Sequence, residues 1–199
     1  MSKQEAFKEL LISNFSVDED TIQVEDREVF YITDYQDQAF IVFEYDEPSS
    51  TIYFQGNNEI VKIENINEDN LFRVENKRKT IFVPIDGKKG LFQDGTSKCD
   101  FIIFDETTIC FVEIKLNAIS DADRAINKNR KKALDQIINT IYSFDTKLGK
   151  DYKGLKLEGY VCTPKIYPRQ NAAWENLAVE FLEEYGIPVY ESNIKIFTA

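Results

Sequence analysis

The stretch GTSKCDFIIFDETTICFVEIK, residues 95–115, constrains the fold of this chain more than any other. Phe101–Phe104 and Ile109–Ile114 are nearly continuous apolar runs rich in β-branched and aromatic residues, the pattern of strands covered on both faces. Asp105-Glu106-Thr107-Thr108 between them supplies a turn, so the expectation is a buried β-hairpin. With Glu106-Thr107 as a two-residue loop, Asp105 pairs with Thr108, and the same register carried to the strand ends sets Asp100 opposite Glu113. A four-residue loop keeps that register, whereas an odd loop would turn Asp100 to the other face. Opposed residues share a face with Cβ atoms roughly 4.5–5.5 Å apart, and alternation brings Lys115 to the face of Glu113. Three charged groups are thus expected to converge at one end of an otherwise apolar hairpin.

Two carboxylates this close repel each other, and without a cation one would take up a proton or the pair would splay. A hard divalent ion resolves the conflict. Mg²⁺ (with Mn²⁺ as substitute) takes oxygen ligands, often one or two carboxylates, and completes its shell with waters and phosphate oxygens. Asp100 and Glu113 are the candidate metal ligands, and the backbone carbonyl of Ile114 can add another. In such a site the ion lowers the pKa of a bound water and stabilises charge on a phosphodiester. Lys115 is placed to orient or deprotonate that water and to neutralise the phosphate.

Asp100, twelve intervening residues and then Glu113-Ile114-Lys115 resemble the signature of the PD-(D/E)XK nuclease superfamily, over roughly residues 80–165. The proline that names the motif is replaced by Cys99, a position that carries no chemistry in this scheme. The resemblance implies metal binding by Asp100 and Glu113 and catalysis by Lys115. It implies a restriction-endonuclease-like α/β (α+β) sandwich, with a central mixed sheet flanked by helices. It also implies cleavage of nucleic acid, DNA before RNA, in prokaryotic restriction or phage defence, by a homodimer or a complex with a partner protein. The run KALDQIINTIYSF resembles the helix that follows E-x-K in such nucleases, which makes Gln136 a further site candidate and Lys132 the next. Some relatives draw an extra carboxylate from an early helix, a role open to Glu5 or Glu9 beside their plainer reading as a solvated face.

Composition narrows the chemistry. The chain has no histidine, which removes histidine-based acid–base catalysis, HNH-type sites, the usual catalytic zinc and the common serine or cysteine triads. Cys99, Cys110 and Cys162 lie in apolar runs without C-x-x-C spacing and read as buried free thiols. The net charge of −11 is awkward for a protein that binds phosphates, but it is unevenly spread. Residues 1–76 carry 5 basic and 18 acidic groups, residues 77–156 carry 16 basic and 11 acidic, and the last 43 carry 3 and 6. The basic interval is the one with the candidate site, and within it Lys128, Arg130, Lys131 and Lys132 are candidate nucleic-acid contacts, against the simpler reading of a solvated helix face.

At 199 residues and 43% hydrophobic content the chain can bury a substantial core. The N-terminus is charged and amphipathic and no 18-residue apolar run occurs, so a cytoplasmic protein without membrane contact is expected. Helical spacing of Phe7, Leu10, Leu11 and Phe15 predicts a helix over 3–15. EVFYIT, QAFIVFEY, STIYFQG, EIVKIE and TIFVPI predict strands, separated by polar clusters such as DEPSS and GNN. Pro84 places the last of these at an edge or ends it. A long helix is expected over about 121–147, with Ser120 as N-cap and a buried stripe of Leu134, Ile137, Ile138, Ile141 and Leu148. LKLEGYVCTP, Trp174–Tyr185 and IPVYESNIKIF then give strand, helix and strand, with Trp174 a packing residue. The chain divides into an acidic β-rich N-terminal elaboration, 1–76, and a nuclease-like core, 77–199, in one compact unit.

The acidity of residues 1–76 sustains a second reading, an inactive interaction module of nuclease-like fold that binds a protein partner. A third is an acidic inhibitor that imitates a phosphate backbone.

Overall fold

The computed structural model describes residues 1–15, 19–56, 59–88, 90–92, 95–168 and 171–198. Asn57 and Asn58 of the GNN cluster therefore lie outside the described residues. Helix α1 (Lys3–Phe15) and a short strand β1 (Gln23–Glu25) come first. They are followed by β2 (Val29–Asp34), β3 (Ala39–Asp46), β4 (Thr51–Gln55), β5 (Ile60–Ile63) and β6 (Phe72–Asn76). Next come β7 (Thr80–Pro84), β8 (Phe101–Phe104), β9 (Thr108–Ile114) and the long helix α2 (Asp123–Leu148). The chain ends with β10 (Lys156–Cys162), α3 (Ala172–Tyr185), β11 (Val189–Glu191) and β12 (Ile194–Phe197).

Among the described residues these strands form two mixed sheets. The first has the order β1-β7-β8-β9-β10-β11, antiparallel as far as β9 and parallel from β9 to β11. The second has the order β12-β6-β2-β3-β4-β5 and is antiparallel apart from the β12–β6 pair. Of the β-rich run before residue 77, β1 extends the first sheet at its β7 edge, whereas β2–β6 form the second sheet, which packs beside it. Membership follows packing and not sequence interval: α1 and β1 go with the first sheet, and β12 returns to the second.

Alternation along the hairpin explains its continuous apolarity. Ile102, Phe104, Ile109 and Phe111 point into a core shared with α1, α2 and α3. Phe101, Ile103, Cys110 and Val112 point into a second core, shared with Phe30, Ile32, Phe72 and Val74 of the second sheet. All eight are fully buried, and each large apolar side chain so enclosed is worth roughly 1.5–3 kcal/mol. Phe40, Val42, Ile52, Phe54 and Leu71 build a third, smaller core.

Several expectations hold in detail: α1 spans 3–15, β7 stops at Pro84, the five α2 stripe residues are buried, and the three cysteines are buried and free. Others need correction. The N-cap of α2 is Ala122, not Ser120, which stands two residues upstream and only accepts the Ala122 N–H at 3.4 Å. Helix α3 starts at Ala172 because the Asn171 side chain caps it, accepting the Trp174 N–H at 2.9 Å. Strands β1 and β6 were not anticipated, since QVE is short and FRVEN is half polar. IPVYESNIKIF divides between the two sheets, pinned at the crossing by Asn193, whose amide donates to the carbonyls of Asp69 and Thr163. Among the described residues no helix is long and apolar enough to cross a membrane.

The packing predicts the cost of opening it. Phe111 is fully buried with its ring 5.6 Å from that of Phe144 on α2, so Phe111→Ala should cost about 3–5 kcal/mol, read as a lower urea midpoint. A loss below about 1 kcal/mol would mean that the hairpin is not the structural centre.

Candidate active site

The register of the hairpin is the expected one, with Phe101 paired to Val112 and Phe104 to Ile109. Its turn is Glu106-Thr107, and Asp105 Oδ1 holds it by accepting the backbone N–H groups of Thr107 and Thr108 at 2.7 and 2.9 Å. At the other end the ladder departs from regularity at Asp100. The Asp100 N–H donates to Val112 O at 3.0 Å, and the carboxylate accepts the Ile114 N–H at 2.5 Å. Asp100 thereby folds across the strand end towards Glu113 and is partly buried.

Glu113 is almost wholly enclosed, with 1% of its surface exposed. The Lys115 ammonium donates to Glu113 Oε1, and also to Gln136 Oε1 on α2 at 3.0 Å. Gln136 Nε2 donates in turn to Lys98 O at 2.8 Å. One turn further along α2, Thr140 Oγ1 accepts the Cys99 N–H at 2.8 Å and donates to Gln136 O. Helix α2 thus grips the two residues that lead into Asp100 and the lysine beyond Glu113. The Cys99 contact also gives a use for the departure from the motif's proline, since a proline has no N–H to donate. Gln136, the helix candidate, thus lies against Lys115. Thr140 and the backbone of Lys98 were missed, because a threonine inside a helix and a backbone carbonyl carry no sequence signal.

Burial raises the Asp100 carboxyl well above the usual range, reinforced by Glu113 and Asp34 and opposed by the Ile114 N–H and Lys115. Glu113 is raised to about 7, again chiefly by burial, with Lys115 pulling it down and Asp86 and Asp34 pushing it up. Its Oε2 is buried without a hydrogen-bond partner among the described residues. Asp34, the last residue of β2, and Asp86, just after β7, were not expected here. Nothing in the sequence spacing links either to residues 100–115.

The basic cluster separates. Lys128, Lys131 and Lys132 are exposed on α2, whereas Arg130 is fully buried and cannot touch a nucleic acid. Its guanidinium makes a two-pronged ion pair with Glu191 of β11, at 2.8 and 2.7 Å, and a further bond to Pro168 O at 2.9 Å. Arg130 therefore locks α2 to the parallel edge of the first sheet. The reason is its position on the helix, four residues before the buried Leu134 and on the same face. Trp174 packs against it, 5.8 Å from the guanidinium carbon. Glu5 and Glu9 are exposed, and α1 begins at the turn end of the hairpin, where Gln4 Nε2 donates to Phe104 O.

The donor set fits a hard cation: two raised carboxylates, one with an orphaned buried oxygen, beside the backbone of Ile114. Among the described residues no three His, Cys, Asp or Glu side chains converge into a finished metal cage, so an ion here would rest on two carboxylates with the remainder from backbone and water.

Because the folded carboxyl of Glu113 titrates near 7 and the unfolded one near 4.5, the folded state holds an extra proton between those values, and stability falls as pH rises through that window. In EDTA, Glu113→Gln should lessen this decline and melt about 3 °C or more above the parent at pH 8. Identical slopes in thermal unfolding at pH 5–8 would contradict the assignment. No family model, no curated protein and no solved structure matches this chain.

Proposed function

We propose that the chain is a Mg²⁺-dependent nuclease of restriction-endonuclease-like fold that hydrolyses phosphodiester bonds, with DNA as substrate and endonucleolytic action. The observation that carries the reading is the convergence of Asp100, Glu113, Lys115 and Gln136 at the head of a hairpin sealed on both faces. The mixed first sheet with α1, α2 and α3 packed on one face supports it, the resemblance implying a central mixed sheet flanked by helices.

Asp100, Glu113 and the Ile114 carbonyl would hold the ion, which when bound supplies an acidified water and charge stabilisation for the phosphodiester. The remaining steps belong to the chain. Lys115 has three N–H donors, of which Glu113 and Gln136 take two, leaving one for a water or a phosphate oxygen. Gln136 fixes the direction of that third donor, and the Ile114 N–H fixes the Asp100 carboxylate. The exposed Lys128, Lys131 and Lys132 offer phosphate contacts on α2. Service in prokaryotic restriction or phage defence, as a homodimer or with a partner protein, follows from the resemblance alone.

The 18 acidic and 5 basic groups of residues 1–76 favour one other reading, an inactive module that recruits a protein partner. The readings part on metal-dependent cutting. Purified protein should nick or linearise plasmid DNA with Mg²⁺ or Mn²⁺ and not with EDTA. Lys115→Ala should lower the rate by about 10²–10⁴-fold while retaining metal binding. Gln136→Ala should lose about tenfold. Neither cutting nor cation binding by the parent protein would leave the interaction module as the better reading.

A further inference from the structure

Lys115 stands just past the end of β9, at the head of the irregular stretch that leads to α2. A residue in that place frays with the strand end unless something beyond the β8–β9 ladder holds its backbone. Here the Lys115 N–H donates at 2.7 Å to the carbonyl of Cys162, the last residue of β10. Thr163, the next residue, is completely buried and is itself held at three points. Its N–H donates to Asn193 Oδ1 at 3.1 Å, its carbonyl accepts from Asn193 Nδ2 at 3.1 Å, and its hydroxyl donates to Glu191 Oε1 at 3.0 Å.

Glu191 carries the line of contacts back to α2. The same carboxylate takes the two-pronged Arg130 guanidinium, and Arg130 Nη1 donates to Asn171 Oδ1, the cap of α3, at 3.3 Å. The Arg130 and Glu191 side chains are 1% and 2% exposed. An ion pair so enclosed contributes little over apolar residues of the same volume, so stability is a poor account of the polar side chains gathered at this junction. What Arg130, Glu191 and Thr163 share is a path to Lys115. Helix α2 reaches that lysine twice. Gln136 receives its ammonium at 3.0 Å, and Arg130 holds the Glu191–Thr163 junction next to the Cys162 carbonyl that receives its N–H.

We infer that Thr163 and Glu191 are positioning residues for Lys115: by fixing the Cys162 carbonyl they set where the lysine backbone stands, and with it where the ammonium held by Gln136 points. This role rests on the reading of Lys115 as the catalytic lysine and deepens it. The parallel edge of the first sheet and the β11–β12 crossing at Asn193 become part of what aims the ammonium, although neither carries a group that touches the substrate.

The test joins cleavage kinetics to amide hydrogen exchange followed by NMR on the full chain, because exchange at the Lys115 N–H reports its bond to Cys162 whether or not the protein cuts DNA. Thr163→Val removes the hydroxyl and nearly keeps the shape. It should speed exchange at Lys115 about tenfold or more beyond any change at the β8–β9 ladder amides. It should also lower kcat about tenfold, with KM and Mn²⁺ affinity within about twofold of the parent. Thr163→Ala should behave alike, so that a folding defect in one variant does not decide the matter, and Thr163→Ser, which keeps the hydroxyl, should restore both readouts. Phe181→Leu, which loosens the buried face of α3 away from this junction, should move Lys115 and the ladder amides together and leave kcat within about twofold. Lys115 exchange that only keeps step with the ladder, an unchanged kcat, or a Thr163→Ser variant as impaired as Thr163→Val would overturn the inference and leave the nuclease reading standing. Failure of the parent protein to cut would overturn the nuclease reading and with it the catalytic role of the junction, even where exchange at Lys115 responds as expected.

Discussion

A charged strand end that has no water to retreat into is the constraint around which this molecule is arranged. Strands β8 and β9 are enclosed by helices on one face and by a second sheet on the other, so Glu113 stays at 1% exposure although it sits only one residue from the end of β9. An ionised carboxylate there is expensive unless paired. The protein answers with Lys115, itself steered by Gln136, and with the Ile114 N–H for Asp100. Balance is incomplete, since both carboxyls remain raised and one Glu113 oxygen has no donor among the described residues. Such imbalance in a cluster of reactive side chains is typical of sites built to take up something else.

Helix α2 is the second organiser. Its apolar stripe packs on the first sheet, but its polar residues on the buried side do the positioning. Gln136 and Thr140 clamp Lys98 and Cys99, and so set where Asp100 enters the strand. Arg130, two turns earlier, anchors the same helix to Glu191 at the far side of the parallel strands. A buried ion pair of this kind contributes little net stability over an apolar pair, yet losing one partner strands the other charge. Its effect is to fix the helix in one orientation, which Gln136 needs if it is to reach Lys115.

Much was legible because it depends on local periodicity and chain direction. The apolar runs 101–104 and 109–114 announced two-sided burial, and the Glu106-Thr107 loop specified a register that places Asp100, Glu113 and Lys115 at one end. The Leu134–Leu148 stripe announced the helix that covers them. Gln136 was legible through resemblance and helical spacing. The basic run 128–132 misled at Arg130, because charge suggests solvent while the helical phase put that one position inward. Strand β6 and the splitting of the C-terminal run between two sheets were hidden, since edge and half-polar strands acquire their identity from the partner they meet.

The sequence by itself determined the hairpin, its register, the helix that follows and the convergence of three charged groups, because each is set by contacts between residues close in the chain. Only the tertiary structure decided that the N-terminal strands form a separate sheet against the hairpin's second face. It alone set Asp34 and Asp86 within electrostatic reach of Glu113, and turned Arg130 from a surface cation into an interior lock. Those outcomes join segments that are separate in the chain, about 25 to 80 residues apart, and no pattern within either segment encodes which partner the folded chain will supply.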